Sequence, residues 1–260
     1  GALTPAALWQ AVIEGRDLVT SAPDGYWGID HSLILSNGKP GREKAVTDRG
    51  GYVSGFESQF DAARFDADQD LLAGLDPMFR WLLHSASEAL REASPSRAER
   101  SRAGLVLGNL SYPTRSLDDL AAAVWSGGGR RFENRFCSGY PAHLTADLLG
   151  LAGEALTLDA ACASSLYALR IACDRLNAGE ADMMLAAATN HADDLFLHVG
   201  FTALQALSPR GQSRPFNRGA DGLLPAHGAA CVALQRLEDA VAEGRTIHGV
   251  IRGIGLSNDG

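Results

Sequence analysis

Ala155-Leu156-Thr157-Leu158-Asp159-Ala160-Ala161-Cys162-Ala163-Ser164-Ser165-Leu166 is the stretch on which the reading of this 260-residue chain turns. Four residues of strand character, 155–158, pass through a turn of small side chains into a segment, 164–177, with helical apolar spacing. A short buried strand feeding a helix through so tight a turn is the repeating unit of α/β sheets. The pattern extends on both sides. Upstream lie an apolar strand at 104–108, a helix at 116–125 and a helix at 140–149. Downstream come a strand at 183–188, a helix at 194–204, a strand at 229–235, a helix at 237–242 and a strand at 247–255. This alternation predicts an α/β fold in which short strands are covered by helices on both faces, with 155–158 and 183–188 as central strands.

Before that alternation the chain opens with a short helix. Thr4 and Pro5 supply N-cap and first position, Leu8, Trp9, Val12 and Ile13 the apolar stripe, and Gly15 the stop. Residues 17–55, rich in Gly, Ser, Asp and Pro, read as a long surface excursion rather than core. Asp76 and Pro77 then start a helix carrying Trp81, Leu82, Ala86, Ala89 and Leu90, which ends at Ser94 and Pro95. Residues 208–222 form a loop of Pro, Gly and Arg.

Composition removes several classes of function. With 46% hydrophobic and 21% charged residues the chain is of ordinary globular type, and its net charge of −8 would repel a phosphate backbone, so nucleic acid is not an expected partner. Every apolar stretch falls well short of the roughly 20 residues of a membrane-spanning helix. No secretion signal is read at the N-terminus and the four cysteines are unevenly scattered, which together point to a reducing, cytoplasmic setting.

Cys162 carries the chemistry. At a helix N-terminus the free N–H groups and the macrodipole favour a thiolate and can hold an oxyanion, and the alanines on either side leave room for a carbonyl to approach. On these features alone a covalent acyl nucleophile and a buried structural thiol both remain open.

The signature Asp159–Leu166 resembles the active-site motif of the β-ketoacyl synthases. The stretches Leu207-Ser208-Pro209-Arg210-Gly211, Arg214-Pro215-Phe216, Ala220-Asp221-Gly222, Leu237-Glu238-Asp239-Ala240 with Gly244, Ile251-Arg252-Gly253 and Asn258-Asp259-Gly260 are similar to later motifs of the same family in order. The flavour is that of ketosynthase domains in multifunctional polyketide synthases, and Cys-Ala-Ser-Ser, in place of the commoner triple serine, looks more like iterative polyketide and polyunsaturated fatty acid systems. The resemblance implies a thiolase-like fold of five alternating layers, αβαβα, usually a homodimer, of which this chain is mostly the N-terminal half. It also implies that Cys162 takes an acyl group from the phosphopantetheine arm of an acyl carrier protein, with its own N–H as one oxyanion donor. Condensation with malonyl carrier protein follows, lengthening the chain by two carbons. No cofactor or metal is implied beyond that carried substrate. The implied partners are the carrier protein, a second copy of the chain and the other domains of a multifunctional synthase. Cys137 and Phe201 fall where the family lines its acyl pocket.

Measured against the family, residues 1–260 read as a partial β-ketoacyl synthase domain truncated at both ends. The first strand is expected before Gly1, and the family places two catalytic histidines and a lysine after Asn258-Asp259-Gly260. Histidines 31, 84, 143, 191, 198, 227 and 248 match none of those motifs, and His227 stands where a family glutamate is common. Two other functions stay in view: a catalytically silent scaffold or chain-length partner, disfavoured by the presence of Cys162, and a cysteine-dependent thioester hydrolase, which needs His191 or His143 beside the sulfur. Remaining patterns have plainer readings. His191, Asp194 and His198 have metal-ligand spacing but are expected to be solvated surface residues, and Cys173 and Cys231 to be core thiols. Asn109-Leu110-Ser111 is a chance glycosylation sequon. Gly127-Gly128-Gly129 with Arg130 and Arg131 lacks the lysine of a phosphate loop.

Overall fold

A computed structural model describes residues 1–36, 41, 43–128 and 131–257. In chain order the helices are α1 (Pro5–Ile13), α2 (His31–Ile34), α3 (Gln69–Gly74), α4 (Pro77–Ala93), α5 (Arg97–Ser101), α6 (Arg115–Ser126), α7 (Tyr140–Leu149), α8 (Ser164–Asn177), α9 (Asp194–Ala203) and α10 (Leu237–Ala242). The strands are β1 (Thr20–Ser21), β2 (Arg49–Gly50), β3 (Ala103–Asn109), β4 (Ala155–Leu158), β5 (Met183–Asn190) and β6 (Gly228–Leu234). The chain divides into two units, the first made of Gly1–Asp61, Tyr112–Arg115 and Asn190–Gly228, the second of the intervening segments and the chain from Ala229 onward.

The second unit holds the α/β sheet, in the order β4-β3-β5-β6. β3 pairs in parallel with β4 and β5, so that Val106 stands opposite both Leu156 and Ala186. Side chains alternate across a pleated strand. Val106, Met184 and Ala186 pack on Ala168, Ala172 and Leu176 of α8, while the odd-numbered Leu105, Leu107, Met183 and Leu185 face the other way and are equally buried. α7 packs on β3 and β4, and α4 on α7. β3 is therefore apolar from Ala103 to Gly108 because it is covered on both faces, and each large side chain in it contributes about 2 kcal/mol by burial. α4 begins where the Asp76 carboxylate accepts from the Met78 N–H ahead of Pro77, and stops where Ser94 turns left-handed. α5, not foreseen from sequence, is held by a reciprocal capping box between Ser96 and Glu99.

Three expectations need correction. β4 is half-buried at the sheet edge rather than central, because the seven- and eight-residue β3 and β5 take the inner places. Residues 247–255 form no strand; Ile247, Val250 and Ile251 are exposed, and among the described residues no ladder partner lies alongside. The described part of 17–55 is not a surface excursion. Ala22, Trp27, Ala45 and Tyr52 form the core of the first unit, with Ile34, Leu35, Leu195 and Val199 packed against them. α1 has the expected bounds and Thr4 cap, yet its stripe of Leu8, Trp9, Val12 and Ile13 is 52%, 64%, 61% and 63% exposed. Gly129, Arg130 and Asn258-Asp259-Gly260 lie outside the described residues.

Candidate active site

β4 delivers the chain to a single 3-10 turn, Ala161–Ala163, which runs directly into α8. Cys162 sits in the middle of that turn and is exposed. Immediately before it, Ala161 has φ +49°, a left-handed conformation that costs an alanine about 1 kcal/mol and persists only where its surroundings impose it. The imposing groups are visible. The Asp159 carboxylate accepts from the Ala161 N–H and from the Ser111 N–H, both at 2.8 Å. These two bonds hold the Asp159 carboxyl below the usual carboxylate range. Buried Ser164 accepts at its Oγ from the Ala160 N–H at 2.9 Å and donates to the Ala161 carbonyl at 2.7 Å. At Gly108 β3 comes so close to the start of α8 that a Cβ would lie 2.6 Å from the Ser164 backbone.

The hydrogen bonds around the turn leave one donor over. The Ala160 N–H goes to Ser164, that of Ala161 to Asp159, that of Ala163 to the Ala160 carbonyl at 3.1 Å, and that of Ser164 to the Ala161 carbonyl. Among the described residues the Cys162 N–H has no partner and its thiol makes no hydrogen bond. An exposed sulfur beside an unused amide at a helix start is suited to attack a carbonyl and receive the resulting oxyanion. Sequence showed the cysteine and the turn; it did not reveal the work of Asp159 and Ser164, although an Asp two residues before a bend is the usual mark of such a loop.

Cys137 lies buried in the same unit. Its thiol donates to the Asn134 carbonyl at 2.9 Å, and its own carbonyl accepts from the Asn109 side chain at the end of β3 at 3.1 Å. That bond also occupies the amide of the sequon asparagine. Phe201 belongs to the first unit, half-buried on α9, where its carbonyl accepts from Ala206 and Leu207. His143 is exposed on α7, and among the described residues no imidazole is hydrogen-bonded to the Cys162 thiol in the way a cysteine hydrolase requires. Cys173 and Cys231 are half-buried, and burial raises both thiols, Cys231 to about 12.

Asp194 and His198 are not solvated; they are 5% and 0% exposed. The Asp194 carboxylate accepts from the Trp27 indole at 2.7 Å and the Tyr52 hydroxyl at 2.9 Å, and lies 3.2 Å from His198 Nδ1. His198 has a carbonyl against each ring nitrogen, of Asp194 at 2.9 Å and of Arg49 at 3.2 Å, so both nitrogens donate and the ring is an imidazolium. Burial raises the Asp194 carboxyl and lowers the His198 ring. The bond and charge between them outweigh that in both, leaving Asp194 below and His198 above its ordinary value. Among the described residues no cluster of His, Cys, Asp and Glu is arranged to hold a metal.

Comparison with known proteins gives the site its context. The model of the β-ketoacyl synthase N-terminal domain matches residues 1–240. The chain belongs to the β-ketoacyl synthase family. It is 34% identical over 265 residues to a PKS-NRPS hybrid synthetase of Aspergillus niger, covering 99% of this chain and 14% of that protein. It is likewise 34% identical over 262 residues to a mycocerosic acid synthase-like polyketide synthase of Mycolicibacterium smegmatis, covering 99% and 12%. Among solved structures the PfaC keto synthase-chain length factor superposes with a TM-score of 0.82 at 34% identity, covering 94% of this chain and 29% of that one. The oxazolomycin ketosynthase domain of Streptomyces albus gives 0.81 at 30%, covering 93% and 42%. The β-ketoacyl synthase chain described here thus has the thiolase-like α/β fold of ketosynthases and spans a small part of its curated relatives. No helix among its described residues is long and apolar enough to cross a membrane.

Proposed function

We propose that Cys162 is the acyl-accepting nucleophile of a ketosynthase that extends a polyketide or fatty acid chain. The observation that carries this reading is the exposed thiol next to the unengaged Cys162 N–H, on a backbone turn held in a strained conformation. The thiolate adds to the carbonyl carbon of an acyl thioester carried on phosphopantetheine, and the oxyanion forms against the Cys162 N–H. Collapse restores the carbonyl, breaks the bond to the carrier sulfur and releases the carrier as a thiolate that takes up a proton. In the second half-reaction malonyl carrier protein loses carbon dioxide. The resulting carbanion attacks the Cys162 thioester, expels the cysteine thiolate and leaves a β-ketoacyl carrier protein two carbons longer.

The same reading makes residues 1–260 part of a ketosynthase domain within a larger synthase, working in the cytoplasm with an acyl carrier protein and as a homodimer. The family resemblance further assigns Cys137, which is buried, and Phe201, which is half-buried, to binding of the acyl chain. The test is acyl transfer from an N-acetylcysteamine thioester, a minimal mimic of the pantetheine end, to the full chain, with the acyl mass located by peptide mass spectrometry. Acylation of the Cys162 peptide, lost in Cys162→Ala, is expected. Loading retained by that variant, or carried by another residue, overturns the assignment. Cys137→Phe and Phe201→Ala should shift the preferred acyl length, and an unchanged preference from acetyl to octanoyl removes both from the pocket.

A further inference from the structure

The bonds around the nucleophile turn have a division of labour that the acyl-transfer reading does not itself require. Five consecutive amides, Ala160 to Ser164, all lie at the mouth of α8, and any of them could point at an oxyanion. Four are engaged, two by side chains (Asp159 and Ser164) and two by backbone carbonyls of the turn. We propose that Asp159 and Ser164 are positioning residues for Cys162, which hold Ala161 in its left-handed conformation and so leave the Cys162 N–H as the one of these five amides free to meet the acyl oxygen.

Three features support this. Asp159 binds with both oxygens, one to the turn and one to Ser111 just beyond β3, so the turn is tied to a second segment rather than to itself alone. Ser164 is buried, accepts from one residue of the turn and donates to the next, and Gly108 leaves no space for it to move toward β3. Without these two anchors an alanine has no reason to remain at positive φ, and relaxation of Ala161 would reorient the next peptide plane, which carries the Cys162 N–H. The substitutions with most meaning are conservative in shape. Asp159→Asn places an amide donor against one of two N–H donors, and Ser164→Ala removes both bonds of the hydroxyl, whereas Ser164→Thr keeps them.

Because the inference rests on Cys162 being the nucleophile, the experiment compares two reactions of the same sulfur in the full chain. Alkylation by iodoacetamide needs an accessible thiolate and no oxyanion donor; acylation by an acyl N-acetylcysteamine thioester needs both. Asp159→Asn and Ser164→Ala are expected to slow acylation of the Cys162 peptide at least tenfold while changing its alkylation less than threefold, with Ser164→Thr restoring acylation. Acylation at the wild-type rate in both variants, or equal losses in both reactions, overturns the positioning role. Absence of acylation in the wild-type chain would instead count against the nucleophile itself. Should either variant fail to fold, amide hydrogen exchange on the wild-type chain decides. The Ala160 and Ala161 amides should be protected and the Cys162 amide should exchange far faster, and equal protection of all three defeats the proposal.

Discussion

At Gly108 the absence of a side chain is a requirement of the site. A Cβ there would stand 2.6 Å from both the carbonyl carbon and the carbonyl oxygen of Ser164, where neither neighbour is a flexible side chain that could swing away. Gly108→Ala must push β3 from the start of α8, and overpacking of this kind costs about 1–3 kcal/mol. Thermal unfolding should therefore fall by roughly 2–4 °C per kcal/mol in a chain of this size. Because Ser164 anchors the nucleophile turn, acylation of Cys162 should fall with it. A Gly108→Ala chain with unchanged melting temperature and loading rate would show that the gap closes by other means.

At the scale of single elements, α9 carries the most consequential buried charges. Its first residue, Asp194, and the residue one turn later, His198, form an ion pair with almost no exposure. The His198 value is raised above the ordinary 6.5, so its contribution to stability is complete below about that pH and is lost as pH rises through the raised value. The Asp194 value is depressed below 3.8, so its contribution is complete above about that pH and is lost as pH falls through the depressed value. Removing one partner of a buried pair costs about 3–5 kcal/mol. His198→Ala should accordingly lower stability most between about pH 4 and 6.5, with the gap to wild type narrowing in alkaline solution. Melting curves across pH check this, and a gap that stays constant into the alkaline range would refute the charged pair.

The same helix shows where sequence legibility ends. α7, β4, α8 and α10 have the bounds that periodicity and caps predict, because spacing, prolines and N-cap residues are local signals. The partners of Asp194, however, are Trp27 and Tyr52, 167 and 142 residues away in a stretch whose Gly, Asp and Pro content resembles surface loop. Residues 247–255 fail for the converse reason, since alternation alone cannot make a strand without a neighbour. In the site, Cys162 and its helix start were legible, whereas the left-handed Ala161 and the bonds enforcing it were not, because a backbone dihedral has no residue-type signature when the residue is alanine.

For the molecule as a whole, the first consequence is chemical. Decarboxylation of a malonyl thioester needs donors that polarise its carbonyl, and four of the seven histidines are engaged in contacts with carboxylates. His198 and His227 surround Asp194, His31 lies against Asp48, and His248 pairs with Glu92. If those contacts hold, none of the four can serve the second half-reaction: with acyl N-acetylcysteamine and malonyl carrier protein, substitution of any one of them should leave acylation of Cys162 unchanged, and mass-spectrometric loss of the Cys162 adduct in such a variant would overturn the expectation. The second consequence is physical. Isolated apolar residues on a surface are ordinary, but a complete helix stripe is not. Leu8, Trp9, Val12 and Ile13 of α1 all face solvent, as do Val124 and the 87% exposed Trp125 at the end of α6. In the second unit β4 and β6 are both sheet edges, and β4 offers backbone donors and acceptors to any strand that approaches. Removing such surface from water is favourable, so self-association is expected and should be strengthened by sulfate, which is excluded from protein surfaces. Light scattering on the purified chain should give at least twice its 27.4 kDa. Charged substitutions in the α1 stripe (Trp9→Glu, Ile13→Glu) should reduce that mass if the helix mediates contact, and Leu156→Lys should reduce it if the β4 edge does. A cooperative monomer in the wild-type chain would mean that these faces are stable in water as they stand, and would remove the basis for a paired assembly.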